Sequence, residues 1–201
     1  MDNPSNILRS LQMIERGNPP YAAHWMRGYR LGRLVVVQTA GKERKAIVEL
    51  ITQWVLRASF HLIAAGDWLP DHDDLRYSVF RYTHAINETL DHMKLVRART
   101  RFQLLDLLKD ADQQNKPILI LDFLHHFYNE DVELFARDEI LEQCCQYTKR
   151  LSLSNPVIVL VPQLDTEEYR RFFPILAAMA HEILEPEPIP LQTEVSQGAL
   201  F

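Results

Sequence analysis

The most regular feature of the chain is a set of short apolar runs separated by stretches of helical period. Leu34-Val35-Val36-Val37 contains no polar residue, the mark of a strand buried on both faces. Residues 60–64, 117–121 and 157–161 read the same way, and 93–98 and 182–184 read as shorter strands. Between them the spacing predicts helices over 42–58, 71–83, 101–112, 132–151 and 166–180. In the first of these, Ile47, Leu50, Ile51, Val55 and Leu56 line one side. Strands alternating with helices at this spacing predict βαβ units, a mostly parallel sheet and helices on both of its faces. The expected fold is therefore a three-layer α/β/α core.

Both ends depart from that rhythm. Residues 3–16 predict an opening amphipathic helix, with Asn3 as cap, Pro4 in the first turn, and Ile7, Leu8, Leu11 and Ile14 on one stripe. Gly17-Asn18-Pro19-Pro20 stops it, and residues 21–33, a mix of aromatics and arginines, read as loop with room for a short helix. From Glu185 the run Glu185-Pro186-Glu187-Pro188-Ile189-Pro190 can continue neither a helix nor a central strand. The expected organisation is a helix and linker over 1–20, a core domain over 21–184, and an acidic, proline-rich flexible tail over 185–201.

Composition narrows the setting. A chain of 201 residues suits one domain. A net charge of −5 means that any contact with DNA needs a local basic patch. The two cysteines, Cys144 and Cys145, are adjacent, where a disulfide would be strained, so they read as reduced thiols. With neither an apolar run of membrane length nor a secretory signal, the expectation is a cytoplasmic protein without a membrane partner.

In open parallel sheets ligands sit at the carboxyl ends of the strands. The first strand ends at Gln38-Thr39-Ala40-Gly41-Lys42-Glu43, where a phosphate-binding loop would be. Such a loop needs glycines that admit phosphates, a lysine on the terminal phosphates, and a hydroxyl on magnesium. Gly41 and Lys42 supply the glycine-lysine pair, but Glu43 replaces the hydroxyl, and Val36 stands where the first glycine should be. A tight strand-to-helix turn with a solvated lysine would show the same pair. Asp122 follows Ile118-Leu119-Ile120-Leu121, the pattern of a magnesium-holding aspartate and also of a turn cap. Gln163 follows the fourth strong strand and has the chemistry of a γ-phosphate sensor.

The order of these positions resembles the RecA/KaiC-like recombinase core over about residues 21–185. That resemblance implies a magnesium aspartate at Asp122, a sensor glutamine at Gln163, and a water-activating carboxylate at Asp67. It implies ATP and magnesium as cofactors only if the degenerate loop still works; otherwise no cofactor is expected. The final residues, Gln197-Gly198-Ala199-Leu200-Phe201, are similar to the bacterial sliding-clamp-binding pentapeptide, with Leu200 and Phe201 as apolar anchors and Gln197 as the orienting amide. A terminal Leu-Phe folded back on the domain is the competing reading. Together the two features resemble the ImuA- and SulA-related accessory proteins. This implies a non-catalytic partner in DNA repair or translesion synthesis, docking on the clamp and on a recombinase or polymerase.

Other clusters were weighed on their residues. Lys94, Arg97, Arg99 and Arg101 form a local basic group, with Arg97 and Arg99 expected on one strand face. They suit a phosphate backbone or acidic partner, or pairing with Asp67 and Asp122. Asp71-His72-Asp73-Asp74 reads as a helix cap, and Arg170-Arg171-Phe172-Phe173 as a helix whose phenylalanines pack inward.

Overall fold

The computed structural model describes residues 32–39, 44–111, 116–128 and 134–185. The opening helix expected over 3–16, the turn around Gly41 and Lys42, and the tail beyond Glu185 lie outside these residues. Six strands form one all-parallel sheet: β1 (Leu34–Thr39), β2 (Phe60–Ala64), β3 (Met93–Arg97), β4 (Ile118–Leu121), β5 (Val157–Pro162) and β6 (Glu182–Leu184). The α-helices among the described residues are α1 (Arg44–Val55), α2 (His72–Phe80), α3 (Ile86–Leu90), α4 (Arg101–Ala111), α5 (Leu134–Ser154) and α6 (Glu167–Ala177).

The strand order is β3-β2-β4-β5-β1-β6. Connections that run toward the β3 edge and connections that run back must place their helices on opposite faces, because parallel crossovers are right-handed. The core obeys this. Leu34, Val36, Ile63, Ile120 and Val159 point to the face covered by α4, α5 and α6. Val35, Val37, Leu62, Leu119 and Ile158 point to the face covered by α1 and α2. Alternation along each strand thus feeds two separate cores, which is why β1, β4 and β5 carry no polar residue before their carboxyl ends. The result is the three-layer α/β/α core that the periodicity predicts.

Local chemistry sets the helix starts. Asp71 caps α2 by accepting from the Asp73 N–H at 2.8 Å, and Asp73 and Asp74 add charge in the first turn. Thr166 caps α6 by accepting from Tyr169 N–H, with Glu167 and Glu168 behind it. The helices α1 and α2 are joined through Glu49, a buried carboxylate that accepts from Gln53, Ser78, Arg81 and Tyr82. No helix among the described residues is long and apolar enough to cross a membrane.

Candidate functional site

Four neighbouring strands, β2, β4, β5 and β1, deliver their carboxyl ends to one edge of the sheet. Their exits carry Asp67, Asp122, Gln163, and Gln38 with Thr39. Connections from β1 and β5 leave toward opposite faces, as do those from β2 and β4, so both places are switch points where a crevice can form.

At the β2–β4 crevice the two aspartates have different partners. Asp67 is mostly exposed and accepts from the Arg97 guanidinium at 2.9 Å, with His125 Nε2 3.6 Å from its other oxygen. Asp122 has a left-handed backbone, φ 55°, uncommon for a residue with a side chain. Its carboxyl lies directly over Gly66, so close that a Cβ there would be 2.1 Å from Oδ2. Burial pushes the Asp122 carboxyl above its usual range; His125 pulls it down and the Asp67 charge adds to the rise. His126 donates from Nε2 to the Ala98 carbonyl at 3.0 Å, tying the β4 exit to the β3 exit. Burial lowers the His126 pKa against the upward pull of that carbonyl; the charges of His125 and Arg101 lower it further, and that of Asp67 opposes them.

The β5–β1 crevice is held by main chain and by one buried side-chain bond. Gln163 N–H donates to Thr39 carbonyl at 2.8 Å, which prolongs the ladder, while the Gln163 side chain is exposed. Gln38 donates from Nε2 to the Tyr169 hydroxyl at 2.7 Å. Tyr128 brings a buried hydroxyl with no hydrogen-bond partner among the described residues, and burial, Tyr169 and Asp122 all raise its pKa.

These groups were tested against a magnesium ion. Hard cations need several converging oxygens. Asp122 offers one carboxyl, turned toward Gly66 on the β2 side and away from β1, and Asp67 is engaged by Arg97. Among the described residues no three His, Cys, Asp or Glu side chains converge on a metal position. The described donors do not fit magnesium.

Lys94, Arg97 and Arg99 line two clefts that share Leu107 and Asp110. Arg97 and Arg99 do not share a strand face, because β3 ends at Arg97 and the chain turns toward the Thr100 cap. Lys94 lies in a shallow cleft with His61 and Val96. Arg97 and Arg99 border a second cleft of about 360 Å³, which Asp106 and Asp110 also line. Of the two aspartates expected to take the arginines, Asp67 pairs with Arg97. Arg101 is buried at the start of α4. That burial, the Gln38–Tyr169 bond and the position of Tyr128 escape a sequence reading, since a residue's type does not tell what packs on it. Gly41 and Lys42, and likewise Gln197, Leu200 and Phe201, lie outside the described residues.

The site belongs to an α/β fold with a parallel six-stranded sheet, compatible with a Rossmann- or P-loop-like core. No protein-family model matches the chain, and no curated protein matches it in sequence.

Proposed function

We propose that the chain is a RecA-like domain that acts by docking on partner proteins in DNA repair or translesion synthesis, without turning over nucleotide. The observation that carries this reading is the state of the two strand-end carboxylates. A catalytic base must be aimed at the attacking water rather than at a cation, and a magnesium ligand must face the phosphates. Asp67 is instead held by Arg97, and Asp122 is folded against Gly66. The sequence adds Glu43 where a magnesium hydroxyl would stand.

The partner reading comes from the tail. Gln197, Leu200 and Phe201 supply one amide and two apolar anchors at the end of an acidic, proline-rich spacer, which suits insertion into the groove of a sliding clamp. A recombinase or polymerase would be the second partner. Capture of purified sliding clamp by the full chain, compared with the Leu200→Ala/Phe201→Ala variant, tests it. Capture by the wild type alone is expected. Equal capture by both chains removes the clamp from the proposal.

A further inference from the structure

Arg101 is the most anomalous charge in the described chain. Its residue is 9% exposed, and its Nε is buried without a hydrogen-bond partner. It forms no ion pair with any described acidic residue, unlike Arg97, Arg170 and Arg171. Its guanidinium lies 5.4 Å from the Phe102 ring, but that ring is itself more than half exposed, so the contact replaces little hydration. A guanidinium does not shed its proton, so burial cannot neutralise it as it would a lysine. A buried charge of this kind is kept either by a hidden counter-ion or by a ligand that supplies one.

Its surroundings select the ligand. Arg101 is the first residue of α4, an 11-residue helix. Thr100 Oγ1 accepts from Gln103 N–H, and the Gln103 side chain turns back to Arg99 N–H. The first-turn amides of Arg101 and Phe102 have no carbonyl within the helix to meet, and the helix dipole adds positive potential. His126 is tied to Ala98 in the same turn and lies close enough to Arg101 to feel its charge. Arg99 adds a second guanidinium with no ion pair among the described residues.

We propose that the turn between β3 and α4 binds a phosphate group, with the Arg101 guanidinium as its anchor and the α4 amides as co-donors. Guanidinium and helix amides are matched to the tetrahedral oxygens of a phosphate. The phosphate can be free in solution or part of a single-stranded nucleic-acid backbone. The site lies beside β3, two strands from β4 at the sheet edge, and is separate from the turn at Gly41 and Lys42 that follows β1. It does not depend on the docking reading.

Thermal unfolding of the full chain in phosphate-free buffer, at fixed ionic strength, tests the site. Inorganic phosphate and a single-stranded oligonucleotide are added in separate arms. A ligand at about ten to a hundred times its Kd should raise the wild-type Tm by roughly 3–8 °C. Arg101→Met should be insensitive to the same ligand. A response to the oligonucleotide at phosphate concentrations where the free ion is silent names the nucleic acid as source; a response to the free ion at equal or lower concentration names inorganic phosphate. If Arg101→Met does not yield folded protein, the Arg101 Nε–H resonance of the wild type is followed by NMR, and its movement on ligand addition is expected. A wild type unmoved by either ligand, an Arg101→Met chain that responds as the wild type does, or a stationary Nε–H resonance overturns the proposal.

Discussion

The Oδ2 atom of Asp122 stands where a side chain on residue 66 would have to be, 2.1 Å from the ideal Cβ of Gly66. The β2 and β4 exits close on each other only because residue 66 has no side chain. Gly66→Ala should destabilise the fold by about 1–3 kcal/mol, since the neighbour is a partly buried side chain on a constrained loop. Asp122→Gly clears that space and relieves the left-handed backbone at 122. The double variant should therefore lose less stability in urea than Gly66→Ala alone. Strict additivity of the two changes would show that the two residues do not interfere.

Asp122 also predicts a pH dependence. Its folded pKa lies above the ordinary 3.8, chiefly through burial. The folded state thus resists ionisation. Its contribution to stability is fully present below 3.8 and is lost as pH rises through the folded value. Asp122→Asn, a residue that tolerates the left-handed backbone, should be more stable than wild type at neutral pH. The difference should shrink as pH approaches 3.8 from above. Urea midpoints of both chains across that range decide it, and a gain that grows on acidification would contradict the assignment.

Glu49 anchors α1 to α2 and is only 4% exposed. Four donors converge on it: Arg81 at 2.5 Å, Tyr82 at 2.6 Å, Gln53 at 2.9 Å and Ser78 at 3.3 Å. Glu49→Ala strands all four and should cost about 3 kcal/mol. Arg81, whose side chain is about half exposed, leaves Glu49 three other donors when removed, so Arg81→Ala should cost about 1–2 kcal/mol. Reversal of that order in chemical denaturation would mean that the arginine, not the carboxylate, organises the network.

The nucleotide question has a direct measurement. Titration of ATP with magnesium into the full chain should release no heat at millimolar ligand. Heat that disappears in Lys42→Ala would show that the loop still holds phosphate, and the non-catalytic reading would then give way to an ATP-binding one.

The adjacent thiols predict a reactivity pattern. Cys144 and Cys145 are both buried on α5 and unpaired. Burial pushes the Cys144 thiol up to about 12 and raises Cys145 as well, so the thiolate that attacks disulfide reagents is scarce. A disulfide reagent should label neither cysteine in the native protein and both after unfolding. Rapid native labelling would place them nearer the surface.

The fold was largely legible because apolar period is a one-dimensional signal. The limits of β2 and β6 follow from their sequences to the residue, and the other strands and long helices to within a few residues. The short helix α3 left no trace, since Thr89 is its one buried residue and five residues cannot show a stripe. The strand-end carboxylates were visible for the same reason as the strands. Their partners were not. The expectation that Arg97 and Arg99 share a face failed because the helix cap at Thr100 ends the strand early. Gln38 and Tyr169 meet across a separation of 131 residues, and nothing in either segment marks the other. Arg101 reads in the sequence like any surface arginine, because burial belongs to the packed layers and not to the residue.

The place of β1 in the sheet bears on how the protein is made. The first described strand is paired on one side by β5 and on the other by β6, the last two described strands. During synthesis, Leu34-Val35-Val36-Val37 emerges long before either neighbour exists. Closing the sheet must wait for a non-local pairing, which slows folding and leaves an apolar edge open on the nascent chain. The strand that opens the described core is also the last to be enclosed, so its apolar sides stay uncovered on the nascent polypeptide until β5 and β6 have been made.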